Sequence, residues 1–230
     1  MKKIGIIGGL SPESTVEYYK IITRKYNEIK GKNAFPVLTI ESLDLQEFTD
    51  LMIANDMQKV LDFLLAAAER LIKSGSELII LATNTPHVVF NDLAKKVKVP
   101  MLSIMDATGE AIKKQGLEKI GLIGTRFTMN FSYYQDALEK YSIEVITPTQ
   151  DDKKIIDTII YRELTYHILK EESKQQYLEV IDRLQQEGAQ GVILGCTEIP
   201  LLVKQEDCKI PVFDTTTIHA LATLQRALKD

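Results

Sequence analysis

Of the two thiols in the chain, Cys196 and Cys208, only the first stands where a thiol can do acid–base work. Cys196 ends the apolar run Val192-Ile193-Leu194-Gly195 and precedes Thr197-Glu198-Ile199-Pro200, which reads as a helix start. The partial positive charge of a helix N-terminus favours a thiolate, and such surroundings bring a thiol from about 8.5 down to roughly 3.5–7.5. A lowered Cys196 pKa is therefore the expectation. The competing reading is a buried cysteine serving as a small hydrophobe. Cys208 follows Glu206 and Asp207, whose charges oppose ionisation, and no helix start accompanies it, so it reads as inert.

Three more polar segments follow apolar runs: Gly8-Gly9-Leu10-Ser11-Pro12-Glu13-Ser14-Thr15, Ala82-Thr83-Asn84-Thr85-Pro86-His87 and Gly124-Thr125-Arg126-Phe127-Thr128. Open α/β sheets bind ligands outside the carboxyl ends of their strands, where these segments fall. The first lacks G-x-G-x-x-G and a Walker lysine, which argues against dinucleotides and nucleoside triphosphates. Backbone N–H groups at a helix start, with the Ser14 and Thr15 hydroxyls, suit a small anion; a capped strand-to-helix turn explains the same residues. His87, His167 and His219 have no metal-ligand spacing, the cysteines form no C-x-x-C pair, and no metal site is expected. Asp106 and Asp214 read as helix caps.

The elements that position these segments are repeated. Lys3-Ile4-Gly5-Ile6-Ile7-Gly8 returns as Lys119-Ile120-Gly121-Leu122-Ile123-Gly124, the run ending at Thr83 returns as the run ending at Cys196, and Val99-Pro100-Met101-Leu102 returns as Ile210-Pro211-Val212-Phe213. Three matches in one order mark an internal duplication. Thr83 and Cys196 thus become counterparts. Short Ile/Val/Leu strands alternate with helical patterns at 11–26, 56–73 and 173–187, the signature of parallel sheets covered on both faces. The expected fold is α/β: two similar halves with parallel sheets, related by a pseudo-two-fold axis, with the active site in the cleft between them. The first half is assigned to 1–105, with a C-terminal helix at 215–230 packing on it, and the second to 106–214.

Composition narrows the function. The chain has 230 residues, 45% of them hydrophobic and 26% charged, which is ordinary for a globular protein and leaves room for two small halves. A net charge of -4 without a basic run argues against nucleic-acid binding. No stretch is long and apolar enough for a membrane span, the N-terminus enters a strand directly, and two unpaired cysteines suit a reducing compartment; a cytoplasmic protein is expected.

The motifs together resemble the aspartate/glutamate racemase family, in its aspartate racemase branch, along nearly the whole chain. The family's first turn reads G-G-M-G-P-x-A-T, close to Gly8-Gly9-Leu10-Ser11-Pro12-Glu13-Ser14-Thr15; its second motif, C-N-T-x-H, matches Thr83-Asn84-Thr85-Pro86-His87 except at the first residue; its third, G-C-T-E, is intact at Gly195-Cys196-Thr197-Glu198. Glutamate racemases tend to carry histidine after the Cys-Thr pair, so Glu198 favours the aspartate branch.

The resemblance implies racemisation of aspartate or glutamate at Cα, without a cofactor, by two groups on opposite faces of the substrate. Cys196 is implied as one catalytic group, facing the α-hydrogen of the favoured L substrate, and Thr83 stands at the other. A threonine hydroxyl is too weak an acid to serve as a resting base, though it can hold a water. Leu10, Ser14, Thr15, Asn84, Thr85, Thr125, Thr128, Thr197 and Glu198 are implied substrate contacts, and a homodimer is implied as the assembly. Some aspartate racemases carry a lysine near Thr165; here either Arg162 or Arg126 replaces it or the enzyme accepts neutral amino acids as well. A single-cysteine decarboxylase of the arylmalonate type and a non-catalytic amino-acid-binding duplicate are the alternatives.

Overall fold

The computed structural model describes residues 1–229. In chain order its strands and α-helices are β1 (Ile4–Gly8), α1 (Pro12–Lys30), β2 (Leu38–Ser42), α2 (Leu45–Ile53), α3 (Met57–Lys73), β3 (Leu78–Leu81), α4 (Phe90–Lys96), α5 (Ile104–Lys114), β4 (Lys119–Gly124), α6 (Arg126–Asn130), α7 (Tyr133–Glu139), β5 (Glu144–Ile146), α8 (Gln150–Arg162), α9 (Glu171–Gln186), β6 (Gly191–Gly195), α10 (Ile199–Leu202), β7 (Val212–Asp214) and α11 (Thr215–Leu228). The chain forms two compact units, Met1–Ile104 with the stretch from Thr216 onward, and Met105–Thr215.

The first unit holds a parallel sheet of order β2-β1-β3, extended by a single parallel bridge from Ile79 to Met101. The second holds a parallel sheet of order β5-β4-β6-β7. The Met101 bridge occupies in one sheet the place that β7 holds in the other. Of the interior strands, β1 and β6 are buried throughout and β4 from Ile120 onward, as continuous apolar runs require when helices cover both faces.

Local sequence explains the helices. Ser11 caps α1 by accepting from the Ser14 N–H at 3.4 Å, Pro12 takes the first helical position, and Gly31 ends the helix at φ 69. In α3, capped by Asp56, the buried residues Val60, Leu61, Leu64, Ala67, Ala68 and Leu71 form one stripe of helical period. Helix α9 starts two residues before the expected Ser173, and α2 and α8 were not legible from periodicity. Asp106, expected ahead of a helix as its cap, lies inside the first turn of α5 and pairs with Lys140 at 2.5 Å.

Each unit has its own core. In the first, Ile4, Ile6, Tyr18, Ile22, Leu78 and Ile80 pack with Ala220, Leu224 and Ala227 of α11. Of the helix expected over 215–230, Asp230 lies outside the described residues. In the second, Ile123, Ile156, Ile160, Tyr177 and Ile181 pack with Leu194 of β6, the strand that leads into Cys196.

Candidate active site

In the second unit, the ends of β4 and β6 come close because both are glycine. A Cβ on Gly124 would lie 2.9 Å from the Gly195 carbonyl, and one on Gly195 would lie 3.0 Å from the Thr128 methyl. Cys196 follows directly. It is 8% exposed, and its Sγ donates to Glu198 Oε2 at 2.9 Å. The Thr197 hydroxyl donates to the same oxygen at 2.8 Å, so one carboxylate oxygen gathers both neighbours.

The thiol expectation is corrected here. Burial first, then the Glu198 charge and donation of the thiol proton to it, push Cys196 well above the ordinary thiol value. The helix that follows, α10, spans four residues, and the Glu198 carboxylate lies against the sulfur. A full negative charge at hydrogen-bond distance outweighs a short helix's partial positive end. At rest Cys196 is a neutral thiol. Cys208, half-buried beside Asp207, is likewise raised, to about 11.

Thr125 caps α6 and accepts from the Thr128 N–H at 3.3 Å, and the two threonine hydroxyls lie 3.2 Å apart. The buried Tyr133 phenol donates to Thr128 Oγ1 at 3.2 Å. Burial raises this phenol, and a Cys196 thiolate would raise it further. Tyr133 escaped notice in the sequence because nothing in Phe131-Ser132-Tyr133-Tyr134 distinguishes it from core aromatics. Asp157 accepts from the Arg126 N–H at 2.8 Å, while the Arg126 guanidinium lies 5.0 Å from the Phe127 ring centre. The Tyr161 phenol, raised by burial and by Asp157, also feels Cys196, Glu198 and Arg126. Arg162 ends α8 on the surface.

In the first unit, Gly9 adopts φ 84, and its backbone nestles against Leu43, where any Cβ would collide. The Gly9 N–H donates to Thr15 Oγ1 at 2.8 Å, and the Thr15 hydroxyl donates to the Ser11 carbonyl at 3.0 Å. The Ser14 hydroxyl donates to the Ala82 carbonyl. The Thr15 proton is thus committed within the turn, and the Ser14 proton braces the turn against the end of β3. Leu10 is buried, Asn84 is 2% exposed, and Thr83 and Thr85 are partly exposed. Thr85 opens a single 3-10 turn, Thr85–Val89. Among the described residues no group of three or more His, Cys, Asp or Glu is arranged to hold a metal ion, and no helix is long and apolar enough to cross a membrane.

A sequence profile described as Asp/Glu/Hydantoin racemase matches residues 7–223, spanning both units and all four segments. The chain belongs to this racemase family. A Yersinia pestis structure, provisionally assigned as an Asp/Glu racemase, is 44% identical, covers 99% of this chain and 100% of its own, and superposes with a TM-score of 0.94. An aspartate racemase homologue from Pyrococcus horikoshii OT3 is 41% identical over 99% of this chain and 100% of its own, with a TM-score of 0.89. The broad specificity amino-acid racemase RacX of Bacillus subtilis is 25% identical over 228 residues, 98% of each chain. The family supports an amino-acid racemase, an isomerase acting on a small amino-acid substrate.

Proposed function

We propose that this racemase inverts Cα of aspartate or glutamate without a cofactor, by proton transfer through Cys196, and that it takes the L substrate more readily. The contact of Cys196 Sγ with Glu198 Oε2 carries the reading. A thiol raised by burial is a poor base by itself, but it has an acceptor for its proton at 2.9 Å. When the α-hydrogen reaches the sulfur, the thiol proton moves to Glu198 Oε2 and the sulfur takes the hydrogen from Cα. The C–H electron pair enters the α-carboxylate as an enolate.

Neutral donors suit this charge. Asn84, Thr85 and Thr125 hold the carboxylate, with Thr128 and Tyr133 fixing Thr125 from behind, and Leu10 and Thr15 shape the first-turn wall. Thr197 instead holds Glu198. The opposite face is protonated from a water at Thr83, and the proton on Glu198 neutralises the remaining hydroxide through solvent. Arg126, whose charge acts on the Tyr161 phenol as those of Cys196 and Glu198 also do, is the proposed cation for the side-chain carboxylate. The proposal includes a cytoplasmic homodimer, supported by the free cysteines and by the exposed apolar residues Phe35 and Val37.

Incubation with L-aspartate, L-glutamate and neutral amino acids in deuterated water tests the reading, because Cα exchange reports the chemistry even at slow turnover. Exchange should survive dialysis against a chelator, vanish in Cys196→Ala and persist in Cys208→Ser. Near-normal exchange in Cys196→Ala, or activity restored only by pyridoxal phosphate or a metal, sinks it.

A further inference from the structure

The turns after β3 and β6 solve one backbone problem in two ways. After β6, the Cys196 carbonyl accepts from the Ile199 N–H at 3.2 Å. The matching residue after β3 is Pro86, which has no N–H, so the same bond cannot form at Thr83. A carbonyl drawn away from water and left without a donor is destabilising. The His87 ring fills the gap: its Nδ1 lies 2.9 Å from the Thr83 carbonyl. Its other nitrogen, Nε2, receives the Ile104 N–H at 3.1 Å. An N–H donor at Nε2 requires that nitrogen to be bare, so the proton sits on Nδ1 and is donated to Thr83.

The ring has no freedom to do otherwise. His87 is 2% exposed and stacks on Phe90 with centroids 5.2 Å apart at 15°. His219 meets it edge-on, with ring centres 6.0 Å apart. That second imidazole is fixed as well, with Nε2–H donating to the Leu102 carbonyl at 3.0 Å and Nδ1 accepting from the Tyr18 hydroxyl at 2.8 Å. In the Cys196 turn the residue matching His87 is Pro200, which can offer no such bond.

We infer that His87 is a positioning residue of the racemase: as the neutral Nδ1–H tautomer it replaces the amide that Pro86 lacks and sets the Thr83–Asn84 peptide plane, and with it the Thr83 hydroxyl. This rests on the proposed role of Thr83. Burial, with the neighbouring His219, pulls His87 down to about 3, so the ring stays neutral throughout the working range.

Cα exchange from D- and L-aspartate, measured with steady-state racemisation, tests the inference. His87→Gln can still accept from Ile104 but cannot donate to Thr83; it should lower kcat at least tenfold in both directions with KM within about twofold, and should lower Cα exchange with solvent more strongly from the D side. His87→Asn keeps a donor near the Nδ1 position and should retain most of kcat. Pro86→Ala/His87→Gln supplies a backbone N–H where the Cys196 turn has one and should recover most of the loss. A fall that tracks the thermal midpoint in all three variants, or no recovery in a folded double variant, overturns the inference. If His87→Gln does not fold, the wild-type imidazole nitrogen spectrum decides: an Nε2–H tautomer for His87, or an Nδ1–H signal indifferent to saturating L-aspartate, rejects the role, and the reverse supports it. Thr83→Val separates the two levels. Intact exchange in Thr83→Val removes the role of Thr83 and this inference with it, whereas reduced exchange there with full activity in His87→Gln removes the inference alone.

Discussion

A sulfur and a carboxylate 2.9 Å apart make opposite demands on one proton, and the pair can be tested on that opposition. Burial keeps the thiol raised in any variant, but Glu198→Gln removes the charge that raises it further, so Cys196 should ionise at lower pH and react faster with iodoacetamide at pH 8. The same change removes the acceptor for the sulfur proton, and Cα exchange should drop by about 100-fold, as loss of a general base does. Alkylation and exchange changing in the same direction would exclude a proton-accepting Glu198. At Arg126 the readout is substrate choice. Arg126→Met should raise KM for aspartate and glutamate about tenfold or more, the order of one charge-assisted hydrogen bond, while leaving neutral amino acids unaffected. An equal effect on both classes places the side-chain carboxylate elsewhere.

At the scale of elements, the site depends on close backbone approach and on capped turns. The Gly124–Gly195 contact lets Thr128 seat against the strand ends, and a Cβ at Gly195 would lie 3.1 Å from the Ile123 carbonyl, which cannot move without disturbing β4. Gly195→Ala should therefore displace Thr128 and Cys196 together, and is expected to cost at least tenfold in exchange with about 1–3 kcal/mol in stability. Wild-type exchange in that variant would show that the strand ends tolerate spreading. Ser11→Ala probes the other turn: removing the α1 cap should cost about 1 kcal/mol, read from denaturation, with a smaller effect on exchange because Thr15 and Ser14 still hold the turn.

For the whole molecule, the buried imidazoles tie stability to pH. His87 and His219 are pulled down to about 3 and about 4, chiefly by burial, from 6.5 in an unfolded chain. Below pH 6.5 the unfolded chain gains protons that the folded one refuses, so stability falls as pH drops from 6.5 towards 4. Each histidine contributes up to about 1.4 kcal/mol per pH unit in that window. Denaturation of wild type and His219→Gln at pH 7, 6 and 5 cancels the carboxylate contributions common to both. The variant should lose less stability on acidification; matching slopes would mean that His219 is protonated in the folded state.

The alternation of buried strands and amphipathic helices, the repeat that makes Thr83 the counterpart of Cys196, and the motifs that carry the family can all be read along the chain. These are properties of local period and order, and they survive in one dimension: Ile4–Gly8 and Lys119–Gly124 read as strands in a parallel sheet because they are apolar on both faces. Helix α2 was not legible because only Phe48 and Met52 are buried, and in α8 the buried face mixes the charged Asp152 and Lys153 with Ile156, Ile159 and Ile160, which breaks the apolar pattern. The state of the Cys196 thiol was beyond the sequence as well. A helix start after a strand predicts a thiolate, but the direction of the shift depends on where the Glu198 carboxylate points and how completely water is excluded. Ser14 and Thr15 carry the right hydroxyls for an anion, yet only the fold shows their protons committed to the Ala82 and Ser11 carbonyls. His87, read as one more core or surface histidine, takes its meaning from Ile104, 17 residues away, whose N–H fixes the tautomer that Thr83 needs. Charges, tautomers and hydrogen-bond partners are set by distances across the folded chain, and the spacing of residues along it does not encode them.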